Sequence, residues 1–394
     1  MENQKPFYIY LDSSDYSILS DPRRYSHEYK IIRERLHDWV EAGDVCIFFS
    51  QVLLAEMAPI TYQNEHLAQA KAELLFSLCR KNALIAPDRL ITFEVEKLRG
   101  EPHDSNLPYS YDGIWFQNGT DTLPSPLARY EIIKSCLDET KNMGLNRKQR
   151  RETDRKIKKC GAARLQAQVK QQALSLSILD EEIQKNLHGY PLKKEDIIII
   201  MRYMAGVGGA QEARAAYRRS LSDSRWIIKW MYADIKRSKD FADGIRAPGI
   251  KLCEKICQLR DSLSRFNTSD YLSNDFLNQQ NRRSIEQVAN ALISKIGSHD
   301  TSVTINQLKE FCPGLHTMLA IFYSASKSSI QKNRNAPKSS DYVDALHAIY
   351  APYVDVFRAD SSMAPHVKQY APAETQVVQK LNQLVPTIER LLNK

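Results

Sequence analysis

Five acidic residues fall where an α/β protein gathers a ligand site. Asp12 closes the apolar run 7–11, Asp360 stands just past the run 354–357, and Glu56 lies on the helix expected after the run 45–49. Asp341 and Asp344 are three residues apart, on one face of a helix directly before the last strand. In an open parallel sheet the crevice outside the carboxyl ends of the strands is the binding place. Carboxylates converging there repel one another unless a cation neutralises them. A hard divalent ion, Mg²⁺ or Mn²⁺, prefers such oxygen donors. It keeps several waters, and it suits hydrolysis of a phosphodiester.

The elements that must hold these acids are legible at both ends of the chain. Residues 7–11 read as a buried strand, 27–41 as an amphipathic helix stopped by Gly43, and 45–49 as a second strand. Ser50 is a natural cap for the helix that carries Glu56. Strand, helix, strand, helix opens a parallel α/β sheet. A further helix is expected over 66–80 and a short third strand over 90–93. A loop rich in Gly, Pro, Asn and Asp follows over 100–126 and contains Tyr109, Tyr111 and Trp115. Residues 128–335 read as mostly helical, with 197–200 either a strand or one buried helical turn. The α/β pattern returns as a helix over 341–350 and a strand over 354–357. A last helix, divided or kinked by Pro386, is expected over 376–392.

With 394 residues, 43% hydrophobic and 26% charged, the chain has the composition of a soluble globular protein, and no apolar run reaches membrane-spanning length. The start MENQKPFYIYLDSSDY lacks a secretory pattern, so a cytoplasmic location is expected. Seven scattered cysteines without a Cys-x-x-Cys pair read as buried free thiols. The net charge of +8 permits a polyanionic partner. Its distribution is more informative than its sum. Arg147, Lys148, Arg150, Arg151, Arg155 and Lys156 crowd one segment, and Lys327, Lys332, Arg334 and Lys338 precede Asp341. Each cluster is either a solvated surface or a phosphate-backbone clamp. Arg214, Arg218, Arg219 and Arg225, interleaved with Tyr217 and Trp226, form a third candidate surface. His347, one turn beyond Asp344, is either a core histidine or a group for phosphate contact or proton transfer. Asp15 and Asp355 read as supporting acids. Gly206, Gly208 and Gly209 lack the lysine of a P-loop and read as a hinge.

The pieces YIYLDSSDYSIL, FFSQVLLAEM and SSDYVDALHAIYAPYVDVFRADSSM resemble the three blocks of PIN-like ribonucleases. The resemblance covers about 1–95 and 336–394. It implies an α/β/α domain with a parallel sheet formed by both chain ends (1–99 and 336–394), around a large, mostly α-helical insertion (100–335). It assigns the four acidic roles to Asp12, Glu56, Asp344 and Asp360, with Asp341 a fifth candidate ligand. It also implies a metal-dependent endoribonuclease acting on RNA. Members often carry Thr or Ser just before the last acid, where this chain has Arg358 and Ala359. Two further readings stay open: a catalytically silent scaffold that binds RNA or a partner protein, and a DNA-directed nuclease.

Overall fold

The computed structural model describes residues 5–24, 26–58, 65–102, 107–113, 115, 146–149, 151–152, 155, 191–204, 208–265, 274–296, 302–330 and 339–393. Two compact units emerge from the contacts. One comprises Met1–Gln117 with Ile228–Lys394, and the other Asn118–Ile227.

In the first unit, β1 (Phe7–Tyr10) runs into Asp12, which caps α1 (Ser13–Ser20). Ser26 caps α2 (His27–Ala42), and Gly43 ends that helix at φ +82°, a backbone region open to glycine without steric cost. The chain then enters β2 (Val45–Phe48), and Ser50 caps α3 (Gln51–Glu56) through a bond from the Leu53 amide. α4 (Glu65–Cys79) and the short β3 (Ala83–Leu84) follow.

Residues 90–93, expected as a strand, lie instead inside α5 (Pro87–Leu98). Pro87 sits in the first turn, where its missing N–H is harmless. Leu90, Phe93 and Val95 are buried, so a run that looks strand-like from its β-branched members turns a helical face to the core. β3 pairs with β4 (Tyr109–Ser110), which lies within the segment read as loop.

The second unit contains α6 (Lys194–Met204) and α7 (Ala210–Leu221), so the run 197–200 is helical. Gly209 occupies the cap position of α7. Buried Asp196 on α6 pairs with Arg219 and accepts from Ser220 Oγ at 2.6 Å, which ties the two helices together. Lys193 meets Asp223 at 2.8 Å. α8 (Ser224–Tyr232) comes next.

Four helices then pack on the sheet-bearing unit although they fall within the region expected as insertion: α9 (Ile235–Arg265), α10 (Asn274–Ile296), α11 (Ile305–Phe311) and α12 (Pro313–Ile330). Gly249 of α9 is buried against α13 (Ser339–His347), and a β-carbon there would stand 2.5 Å from the Tyr342 ring. The close approach of α9 to α13 therefore requires glycine. Glu94 of α5 reaches the N-terminus of α12, where it accepts from the Gly314 amide at 2.6 Å and the Leu315 amide at 2.9 Å. The hydroxyl of Tyr353 also donates to it.

A 3-10 turn, Ala348–Tyr353, leads to β5 (Val356–Arg358), then α14 (Ala364–Tyr370), β6 (Gln376–Val378) and α15 (Leu384–Leu392). The helix expected over 376–392 thus begins as a strand, and Pro386 lies in the first turn of α15, where it is tolerated. The sheet has the order β2-β1-β5-β6, and every pair is parallel. The fold class is α/β, and the strand from one end of the sequence lies directly beside the strand from the other. Tyr10, Phe48 and Phe357 are almost completely buried, and the Tyr10 and Phe357 rings stack at 5.5 Å. Burial of such aromatics dominates core energetics. Asp355 accepts from the Tyr8 amide at 2.7 Å, fastening β5 to β1.

No helix among the described residues is long and apolar enough to cross a membrane. Cys46, Cys79, Cys253 and Cys312 are buried free thiols, and Cys257 is partly buried and also free; Cys136 and Cys160 lie outside the described residues.

Candidate active site

The parallel sheet delivers the carboxyl ends of β1 and β5 side by side, and the acids that follow them are fixed by their own local turns. Asp12 Oδ1 accepts from the Ser14 amide at 2.7 Å, as the cap of α1. Asp360 Oδ1 accepts from the amides of Ser362 at 2.9 Å and Met363 at 2.7 Å. Ser362 Oγ also lies 2.9 and 3.1 Å from the two Asp360 oxygens. A hydroxyl therefore reaches the last acid from the residue two places after it, although none precedes it.

A small, partly open cleft lies at this edge. Its lining includes Asp12, Asp344, His347, Arg358 and Asp360, together with Tyr10 and Phe357. Asp344 comes from α13, which packs on α3, α9 and α12. Burial, followed by repulsion from Glu56 and Asp360, pushes the Asp344 carboxyl up to about 8. Carboxylates gathered in this way carry an electrostatic cost that a bound cation would relieve.

Glu56 ends α3 beside the cleft. Its Oε2 lies 2.9 Å from His347 Nε2, an ion pair when the ring is protonated. The other ring nitrogen, Nδ1, is 2.6 Å from Tyr10 Oη, and Tyr10 Oη is 2.6 Å from Ser50 Oγ. Ser50 caps the helix that ends in Glu56, so the four side chains close a circuit across β1, α3 and α13. Burial opposes charge on both partners. Their mutual attraction nevertheless raises His347 and, with contributions from Ser13 and Arg246, holds Glu56 below the ordinary carboxylate range. Burial lowers the ammonium of half-buried Lys71, opposed by the charge of Glu56.

Arg358 also lines the cleft. It is buried and pairs with buried Asp15 at 3.1 Å, while its Nη1 donates to the Gln379 carbonyl at 2.8 Å. Asp15 Oδ2 in turn accepts from the Asp12 amide at 3.1 Å. Burial pushes the Asp15 carboxyl up to about 7, against the pull of Arg358.

The structure thus brings Asp12, Asp344 and Asp360 to one cleft, with Glu56 beside it and acting on Asp344. Asp341 is not part of the lining; its charge acts on Cys253 and His366 instead. Among the described residues, no three His, Cys, Asp or Glu side chains form a ready metal-ligating group. As oxygen donors the carboxylates suit a hard cation in kind.

Arg147, Lys148, Arg151 and Arg155 are exposed in the second unit. Arg150, Lys156, Lys332 and Arg334 lie outside the described residues, and Lys327 is described only as part of α12. Two groups that sequence reasoning underrated, His347 and Arg358, line the cleft. An ionisable residue one turn from a candidate ligand was a usable signal for His347. Arg358 had none, because an arginine at a strand end gives no hint of burial. No protein-family model, no curated protein and no solved structure matches this chain.

Proposed function

We propose that this chain is a metal-dependent endoribonuclease of PIN-like architecture, with its hydrolytic centre in the cleft at the carboxyl ends of β1 and β5. The observation that carries the reading is the convergence of Asp12, Asp344 and Asp360 on one cleft from three separate elements. The donors available to a divalent cation are Asp12, Glu56, Asp344 and Asp360. Mg²⁺ or Mn²⁺ held there would supply an activated water and neutralise charge developing on a phosphodiester.

The protein's own part is positioning. The caps on Asp12 and Asp360 hold both carboxylates without flexible linkers. The stacked Tyr10 and Phe357 rings pack β1 against β5, and the Arg358–Asp15 pair fixes the two acid-bearing turns relative to each other. RNA as substrate, rather than DNA, comes from the resemblance of the three sequence blocks.

Labelled RNAs and single- and double-stranded DNAs incubated with Mg²⁺, Mn²⁺ or EDTA test the proposal, with Asp12→Asn and Asp344→Asn as comparators. Cleavage of RNA that needs metal and is lost in both folded variants supports it. DNA cleavage under the same conditions would move the substrate assignment to a DNA-directed nuclease. A second reading, a silent scaffold that binds RNA or a protein, draws on the lack of a preformed ligating group among the described residues. RNA retained without metal-stimulated cleavage supports that reading.

A further inference from the structure

We infer that Tyr10 is a positioning residue of the cleft: its hydroxyl, backed by Ser50, holds the ring of His347 so that Nε2 faces the Glu56 carboxylate. The inference rests on the reading of this cleft as a hydrolytic centre, and it concerns how the site is held rather than what it binds.

Reach, rigidity and chemistry carry it. Tyr10 Oη lies 2.6 Å from His347 Nδ1 and 2.6 Å from Ser50 Oγ, so one atom joins β1 to α13 and to the cap of α3. The Tyr10 ring is itself fixed, stacked on Phe357 at an interplanar angle of 8° and tilted against Tyr350, with centroids 5.5 Å apart in both cases. Ser50 Oγ is pinned in turn by the Leu53 amide at 3.2 Å. Tyr10, Ser50 and His347 are all buried, so a bond lost among them is not readily replaced by solvent. An ionised carboxylate only accepts, so the ring nitrogen 2.9 Å from Glu56 Oε2 has to be one that bears a proton. A hydroxyl both donates and accepts, so Tyr10 can hold Nδ1 with or without a proton there. The ring is thus oriented from the Tyr10 side whatever its charge.

His347 lines the cleft, and Glu56, which it holds, is the strongest charge acting on Asp344. A ring free to turn would let Glu56 move and change the field at Asp344. Tyr10 therefore acts on the acids through His347.

Tyr10→Phe removes the hydroxyl and keeps an aromatic ring to stack on Phe357, with thermal melting as the folding control. Two-bond proton–nitrogen NMR spectra of the full chain, labelled at histidine, read the ring without any substrate. The His347 signals are assigned by their loss in His347→Gln. Tyr10→Phe should move the Nδ1 signal of His347. Ser50→Gly, a substitution that a cap position tolerates, should move it too. In the metal-dependent RNA assay Tyr10→Phe should lower kcat by about tenfold to a hundredfold and leave KM within about twofold, as loss of a group that orients others does. In a His347→Gln background the same substitution should cost less than about twofold, because its route to the acids is already gone.

Unchanged His347 signals in folded Tyr10→Phe, an unchanged kcat, or a loss that adds in full to that of His347→Gln would overturn the inference and leave the hydrolytic reading standing. If wild type cuts no nucleic acid, that reading fails, and the nitrogen spectra still decide whether Tyr10 holds the ring. Should Tyr10→Phe not fold, Ser50→Gly decides by the same signals.

Discussion

Arg358 and Asp15 form a buried ion pair at 3.1 Å beneath the acidic cleft, joining the end of β5 to the first turn of α1. Breaking such a pair from one side strands a charge, which costs about 3–5 kcal/mol. Arg358→Met should therefore destabilise the chain by that order. Adding Asp15→Leu should recover much of the loss. Urea unfolding of the two single variants and the double variant measures the coupling, and strictly additive losses would show that the pair does not act as a unit.

Glu94 gives a pH dependence with a defined sign. Burial pushes its carboxyl up to about 7, against the Tyr353 hydroxyl and the amides at the start of α12. A raised acid keeps its proton in the folded state while the unfolded chain has already lost it. Its contribution is therefore complete below the unfolded value and disappears as pH rises through about 7. Relative to Glu94→Gln, wild type should lose about 3 kcal/mol of unfolding free energy between pH 4.5 and 7.5. Stability curves of the two proteins across that range decide it. A constant difference would mean that the three donors keep the carboxylate ionised.

Two glycines on one helix should respond in opposite directions. At Gly249 a β-carbon would meet the Tyr342 ring at 2.5 Å, so Gly249→Ala should cost about 1–3 kcal/mol as α9 is forced from α13. At Gly244 the space is open, and Gly244→Ala should gain up to about 1 kcal/mol from helix propensity. Thermal melts of both variants, read against wild type, check the packing of these two helices.

If RNA is held by backbone contacts, replacing Arg147, Lys148, Arg151 and Arg155 together by Ala should weaken binding uniformly across sequences. It should also flatten the salt dependence, by about 0.7 in slope per lost contact to a single strand. Fluorescence anisotropy over a KCl series measures both. An unchanged slope would mark these residues as a solvated surface.

Much of the sheet was legible because β1 and β2 are unbroken apolar runs, each ending at a polar capping residue, Asp12 or Ser50. β6 was not. Its three residues are too few to show alternation, and they run straight into the pattern of α15. The stretch 90–93 misled because β-branched residues near an aromatic outweighed Pro87 as a helix-start signal. Of the site, Asp12, Glu56 and Asp360 stand at element ends, where the sequence expects them, whereas Asp344 lies within α13. The role of His347 was not legible, because its partner Tyr10 is 337 residues away in sequence. No local pattern encodes a contact of that separation.

The placement of β1 between β2 and β5 has a consequence for how the chain is made. β1 is synthesised early, yet one of its two neighbours emerges from the ribosome only after all the helices from α5 to α13. Until then its open edge has to be kept from foreign strands, and folding must wait for a pairing of very high contact order. Asp12 and Glu56 are likewise present long before Asp344 and Asp360. A nascent or prematurely terminated chain therefore lacks half of its acids, and a ribosome making this protein does not carry an assembled cleft beside its own RNA.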